Sequence, residues 1–200
     1  GLLDQDAATR RYRPGVMLTQ AVRAGQHATP LDEACRKVLA RLSNDSGLTA
    51  YLSTLNQRET VVLQRLNGSQ PVQVLAPPGS RRAASGTAMG RALLSRLTQA
   101  EFDALYGTDP SSPLPVEGKD CPVTVGELAQ RVAQVRADHY GVAIDQAMPG
   151  IGAVAAAVRD PASGELRGLC LSFVSFQADA ARVAALRESL TQQVAALGRE

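Results

Sequence analysis

Apolar side chains recur every three or four residues in several stretches of the chain, which is the spacing that gives a helix one buried face. Hydroxyl residues that can accept hydrogen bonds from the unpaired amides of a helix start stand at Thr29, Thr98 and Thr124. Glu101 and Glu127 follow the last two by three residues, which predicts capping boxes. The pattern predicts helices over residues 17–25, 30–43, 87–97, 98–106, 124–140 and 180–197.

Between these helices the pattern changes to short β-type runs of apolar and β-branched residues. The runs cover residues 48–53, 60–66, 72–75, 142–144, 151–158 and 168–176. Turn residues separate neighbouring runs at Asn56–Glu59, Asn67-Gly68 and Asp160–Glu165. Consecutive strands joined by hairpins, with helices grouped around them, predict an α+β domain with an antiparallel or mixed sheet of about six strands.

The composition argues against several classes of function. A net charge of +2 over 200 residues is too small to predict nucleic-acid binding by these residues. No apolar run reaches the length of a membrane span, and no signal peptide is visible. Cys35, Cys121 and Cys170 have no paired or metal-ligand spacing. We therefore expect a cytoplasmic protein without a metal ion or a cofactor, and without a membrane partner.

The segment Arg81–Leu97 is a candidate to line a small-molecule pocket. Ser85 and Thr87 can both cap the helix that follows, and small residues surround its first turn. Unpaired amides and the helix dipole at such a start favour a bound anion. The alternative is that the small residues let the helix pack closely on a sheet, and the sequence leaves both open. Arg81-Arg82 could bind an anion or a partner, although a solvated surface pair is the expected state.

Three segments, taken in order, resemble the effector-binding half of the IclR family of bacterial transcriptional regulators. Thr87–Leu94 is similar to a family helix start that reads T-A-x-G-[KR]-A-x-L. Tyr140–Asp145, continued by Pro149–Ile151 and Val154–Val158, is similar to a second family segment. The terminal helix that ends at Leu197-Gly198 is the third.

The resemblance implies a GAF-like or profilin-like domain that senses a small organic acid and controls DNA binding of a longer protein. Because Tyr12–Gly15 is similar to the end of the family's winged-helix wing, residues 1–14 are expected to be a remnant of that wing. Residues 15–27 would be the linker helix and residues 28–200 the effector-binding domain. Operator DNA would be bound through the N-terminal domain that is otherwise missing here. The family also implies a homodimer or tetramer.

Carried over position by position, the resemblance implies a ligand site formed by Ser85, Thr87, Ala88, Met89, Asp145, Ile151, Ala153, Ser172 and Val174. The i, i+2 spacing of Ser172 and Val174 puts both side chains on one face of a strand. Ala153 and Val174 replace bulkier or more polar residues of other members, and Gln146 stands nearest to a Glu that the family often has. These changes predict a roomy, apolar pocket that suits an aromatic or otherwise hydrophobic carboxylate.

Two other functions fit the same residues. A dimerisation or scaffold module would need no ligand at all. An enzyme would need a nucleophile with a positioned base, and Cys170 lies on a predicted buried strand with no histidine near it in sequence. Because buried cysteines commonly pack as small apolar groups, we predict that the protein is not an enzyme.

Overall fold

The computed structural model describes residues 1–18, 20, 29–116 and 118–197, which divide into two units, Gly1–Glu33 and Ala34–Glu200. In the first unit, strand β1 (Leu3–Gln5) pairs antiparallel with β2 (Tyr12–Pro14). Most of the helix predicted over residues 17–25, and most of the linker predicted over residues 15–27, lie outside the described residues. So does Gly198 at the end of the third family-like segment.

Six strands form one antiparallel sheet in the spatial order β5-β4-β3-β8-β7-β6. They are β3 (Thr49–Asn56), β4 (Glu59–Leu66), β5 (Arg81–Ala83), β6 (Gly141–Ile144), β7 (Ile151–Arg159) and β8 (Leu166–Val174). The helices from residue 30 onward are α1 (Pro30–Ser46), α2 (Ala88–Leu94), α3 (Gln99–Tyr106), α4 (Val125–Asp138) and α5 (Ala180–Leu197). The predicted α+β class and the six-stranded sheet are therefore confirmed.

The capping residues read from the sequence define three of these helix starts. Thr29 Oγ1 accepts from the Asp32 amide at 3.2 Å at the start of α1. Thr98 and Glu101 form the predicted capping box of α3. Thr124 accepts from the Glu127 amide, and the Glu127 carboxylate accepts from the Val123 amide at 2.9 Å.

The strand predicted at residues 72–75 is wrong. Residues 67–80 form an irregular loop, and the third strand of the meander is the short β5 farther along the chain. Pro71, Pro77 and Pro78 flank residues 72–75 and have no amide hydrogen to donate to a ladder, which disfavours a longer strand in this segment. The loop stays attached to the sheet because the Tyr51 hydroxyl donates to the Val74 carbonyl.

The strand register assigns alternate residues to two faces of the sheet. Tyr51, Cys170 and Ala155 lie opposite one another on β3, β8 and β7, and they pack with Met89 and Leu93 of α2. We call this the α2 face. Their neighbours Leu52, Leu169 and Ala156 lie in register on the other side, where α5 packs on β7 and β8. We call that side the α5 face.

Small residues allow α2 to lie against the sheet at short distance. A Cβ atom on Gly168 would lie 2.3 Å from the Met89 sulfur, and one on Gly90 would lie 2.1 Å from the Ala84 carbonyl oxygen. Gly168 therefore permits close packing of α2 on the sheet, whereas Gly90 permits close packing of α2 on the 3₁₀ turn before it. With seven residues α2 is about 10 Å long, whereas the nine residues of β7 extend about 30 Å. The helix therefore covers only part of its face.

Candidate functional site

The uncovered part of the α2 face contains a cavity of about 150 Å³. Its floor is made by strands β3, β4, β7 and β8, one wall by the start of α2, and its remaining sides by two loops, residues 67–80 and 145–150. The lining residues are Tyr51, Ser53, Thr60, Val62, Val74, Leu75, Ala76, Arg82, Thr87, Ala88, Met89, Ala143, Ala147, Met148, Ile151, Ala153, Cys170 and Ser172. Most of these residues are apolar, and several of them are small.

The polar side chains of the lining are largely engaged with the protein itself. The Tyr51 hydroxyl is bonded to the Val74 carbonyl, and burial raises the pKa of this phenol. Thr60 Oγ1 lies 3.4 Å from the Arg82 carbonyl oxygen, to which it donates. Thr87 Oγ1 accepts from the Gly90 amide at 2.9 Å. The cavity therefore offers a ligand an apolar surface with few side-chain hydrogen-bonding groups.

The start of α2 forms one wall of the cavity. Thr87 is the N-cap, whereas the second predicted cap, Ser85, lies in a short 3₁₀ turn and makes no capping bond there. That part of the prediction is wrong because the turn brings Thr87, not Ser85, to the first turn of α2. Ala88 and Met89 line the cavity, and amides at this position of a helix have no intrahelical carbonyl to bond.

A buried arginine connects several segments around the site through hydrogen bonds. Arg91 is 3% exposed, and its guanidinium donates to the Ser85 carbonyl at 3.2 Å and to the Val142 carbonyl at 2.9 Å. It also donates to the side-chain oxygen of Gln146 at 2.8 Å. Burial lowers the pKa of Arg91 to about 10. Arg91 thus joins the turn before α2, strand β6 and the 145–150 loop, a role that helical periodicity did not indicate.

Asp145 and Val174, two of the predicted ligand residues, do not line the cavity. Asp145 has a left-handed backbone with φ of 58°, and its Oδ1 accepts from the Gly150 amide at 2.7 Å and from the Ser175 hydroxyl at 2.8 Å. Its carboxylate therefore closes the 145–150 loop, which brings Ala147 and Met148 to the cavity. Val174 lies opposite Ile151 and is buried.

Cys170 lines the cavity as a buried thiol. Its Sγ atom lies 3.9 Å from the Ser172 hydroxyl, and burial raises its pKa to about 12. A thiol with so high a pKa is protonated at neutral pH and is a poor nucleophile. In the parts of the chain that the structure describes, no group of three or more His, Cys, Asp or Glu residues could hold a metal ion.

The structure brings six of the nine predicted ligand residues into one lining, namely Thr87, Ala88, Met89, Ile151, Ala153 and Ser172. The sequence reasoning missed the contributions of the 67–80 loop and of strand β5. Arg82 is the most consequential of these, because it is exposed, as expected of a surface residue, and also lines the cavity. Its position depends on pairing with Thr60, which only the register of β4 and β5 determines.

A family model described as "Bacterial transcriptional regulator IclR C-terminal" matches residues 25–199. The chain belongs to the IclR family. Among its relatives is the HTH-type transcriptional regulator XynR of Escherichia coli, which is 27% identical over all of this chain and 78% of XynR. BhcR of Paracoccus denitrificans, also an HTH-type transcriptional regulator, is 23% identical over 96% of this chain and 68% of its own length.

Solved structures of IclR regulators share the fold. A putative IclR regulator from Silicibacter superposes with a TM-score of 0.85 at 20% identity, covering all of this chain and 77% of that protein. The repressor BlcR of Agobacterium tumefaciens gives a TM-score of 0.69 at 25% identity over 99% of this chain and 77% of BlcR. The chain is thus an effector-binding domain of a transcriptional regulator, and domains of this family are not enzymes. Within the described residues, no helix is long and apolar enough to cross a membrane.

Proposed function

We propose that the cavity on the α2 face binds a small organic acid with an aromatic or otherwise hydrophobic body. The observation that carries this proposal is that Ala88 and Met89, in the first turn of α2, border an otherwise apolar lining. Amides in the first turn of a helix have no intrahelical acceptor. Apolar walls favour a hydrophobic ligand body, and amides at a helix start favour an anionic group. The proposed ligand residues are those that line the cavity, with Asp145 and Ser85 supporting them.

The size of the cavity supports a small ligand. Its volume of about 150 Å³ is below the roughly 300–1,000 Å³ of pockets that hold drug-sized molecules. Ala143, Ala147 and Ala153 leave room along its floor and side that bulkier side chains would occupy. We therefore expect benzoate-type acids to bind more tightly than glyoxylate or pyruvate.

We further propose that the bound acid controls DNA binding of a longer, cytoplasmic protein. Residues 1–14 would be a remnant of a winged-helix wing, residues 15–27 a linker helix, and residues 28–200 the effector-binding domain. The antiparallel pairing of β1 with β2 supports the assignment of a wing. Operator DNA would be contacted by the winged-helix domain, in a homodimer or tetramer. The acid would act by binding one of two conformations more tightly than the other.

The proposed ligand class is tested by thermal unfolding of this chain with a panel of aliphatic and aromatic acids, followed by calorimetric titration. We expect benzoate-type acids to raise the melting temperature and to bind more tightly than glyoxylate and pyruvate. The reverse order would contradict the proposed ligand class. No shift with any acid would favour a dimerisation module that needs no ligand.

A matched pair of variants tests the location of the site. Ala153→Leu adds three carbon atoms to a residue that lines the cavity, and we expect it to abolish the shift with benzoate. Ala162→Leu makes the same change in the exposed turn beyond the other end of β7 and should leave the shift intact. An unchanged benzoate affinity in Ala153→Leu would place the ligand elsewhere.

A further inference from the structure

Arg82 is a cation at the rim of an apolar cavity. Among the described residues that line the cavity, it alone carries a full charge, and it remains exposed to solvent. The effective dielectric constant beside an apolar surface is lower than in bulk water. An anion that displaces water there is therefore attracted to the cation more strongly than in bulk solvent. The placement of this charge is therefore relevant to which ligands the cavity accepts.

The register of β4 and β5 separates the two neighbouring arginines. Arg82 lies opposite Thr60, which also lines the cavity, whereas Arg81 lies opposite Val61. Because successive side chains of a strand point to opposite faces, Arg81 projects away from the cavity. Its guanidinium pairs with the Glu59 carboxylate at 2.9 Å. Arg81 is thus already paired, and it faces the other side of the strand.

Arg82 has no such carboxylate partner. No described acidic residue has an oxygen within 4.0 Å of its guanidinium, and its backbone carbonyl, not its side chain, bonds to Thr60. The guanidinium offers a fork of donors that matches the geometry of a carboxylate. It therefore lies at the opening of the cavity with its bidentate donors available to a ligand.

We propose that Arg82 is a specificity-determining residue that selects anionic ligands by pairing with their acid group at the mouth of this cavity. This inference rests on the proposed function, since it concerns an acid bound in the same place. It differs from a site in which the amides at the start of α2 alone hold the acid. With Arg82 as the partner, the acid group lies at the rim and the hydrophobic body extends toward Ala153 and Ser172.

The test is calorimetric titration of the wild type, Arg82→Gln and Arg81→Gln with benzoate and with its neutral counterpart benzamide. Arg82→Gln should weaken benzoate binding about fivefold to tenfold and change benzamide binding less than about twofold. Arg81→Gln removes the same charge from the neighbouring residue and should change both affinities less than about twofold. A melting curve without ligand checks that each variant is folded.

The dependence on salt gives a second readout that loss of packing would not produce. Raising the ionic strength should weaken benzoate binding to the wild type and to Arg81→Gln, and should weaken binding to Arg82→Gln distinctly less. Arg82→Lys should restore part of the preference for benzoate over benzamide, since it restores the charge without the fork.

The possible results separate this inference from the proposed function. If wild type binds benzoate and Arg82→Gln binds it equally well, the inference is overturned and the helix start holds the acid. If Arg82→Gln weakens benzoate and benzamide alike, Arg82 has only a structural role, which also overturns it. If wild type binds neither benzoate nor any other acid of the panel, the proposed function itself fails.

Discussion

The two faces of the six-stranded sheet are built from consecutive residues, yet at the central strands β3 and β8 the α5 face is filled and the α2 face borders the cavity. On β8, Leu169 and Leu171 point to the α5 face and are almost completely buried, whereas Cys170 and Ser172 between and after them line the cavity. On β3, Leu52 and Ser53 show the same contrast. Large apolar residues thus stabilise one face, and small or polar residues leave space on the other.

The lengths of the covering helices explain the difference. The 18 residues of α5 extend about 27 Å, close to the length of the strands, whereas the seven residues of α2 extend about 10 Å. The remainder of the α2 face is covered by loops 67–80 and 145–150, which do not fill it. The contrast shows how a domain of this size can hold an open cavity on part of one face while apolar side chains fill the rest of that face and pack the other one.

The largest expected effect concerns the α5 face. Leu169→Ala removes a fully buried side chain that lies in register with Leu52 and Ala156. The loss of buried surface together with the cavity left behind should lower the free energy of unfolding by about 2–5 kcal/mol. Denaturant unfolding followed by circular dichroism measures this change.

The control is a truncation on the α2 face. Val62→Ala shortens a residue that is only partly buried and already borders open space, so it should lower the free energy of unfolding by less than about 1 kcal/mol. Equal losses for Leu169→Ala and Val62→Ala would mean that the two faces contribute alike to stability and that the contrast is wrong.

The sequence predicts those features of the two faces that depend on residues close together in the chain, and not those that depend on pairing between distant segments. The hairpin turn and the apolar run after it predicted β8, and the i, i+2 spacing of Ser172 and Val174 put both on one of its faces. Thr98 with Glu101 predicted the start of α3. These signals lie within a few residues of one another. The position of Arg82 could not be predicted in this way. It depends on the pairing of β5 with β4 across a 14-residue loop, and a shift of one residue would have exchanged Arg82 with Arg81.

The role of Arg91 could not be predicted from the sequence for a related reason. Its three acceptors, at Ser85, Val142 and Gln146, come from segments up to 55 residues away. A charged residue within an otherwise apolar helix indicates either an exposed edge or a buried network, and helical spacing does not distinguish them. The residues of the cavity that lie close in sequence were therefore predictable, whereas its cation and its buried support were not.

A smaller effect is expected where α2 approaches the turn before it. Gly90→Ala would place a Cβ atom 2.1 Å from the Ala84 carbonyl oxygen, which is backbone and has little freedom to move. In an open helix the same change stabilises by about 0.5–1 kcal/mol. Here it should instead lower the free energy of unfolding by about 1–3 kcal/mol and weaken benzoate binding, because the start of α2 must shift.

Chemical denaturation and the benzoate titration on one preparation check both parts of this prediction. The sign of the stability change is the decisive observation. A more stable Gly90→Ala protein would show that α2 has room to move, and the packing of its first turn would then not define the wall of the cavity.

The smallest expected effect is at the closed end of the α2 face, where a cation is paired, in contrast to Arg82. The Arg159 guanidinium donates to both oxygens of Glu101, at 2.6 and 2.8 Å. The bond to Arg159, followed by that to the Thr98 amide, lowers the pKa of Glu101 to about 2. Both side chains are more than a third exposed, at 35% and 38%, so solvent screens the pair.

Glu101→Gln should therefore lower the free energy of unfolding near neutral pH by only about 0.5–1 kcal/mol. A carboxylate whose pKa falls on folding stabilises the protein above its unfolded value of about 4.5, and this contribution is lost as pH falls toward about 2. The difference between wild type and Glu101→Gln should shrink across that range. Urea unfolding at a series of pH values measures it, and a difference that stays constant down to about pH 2 would mean that Arg159 does not hold the charged form of Glu101.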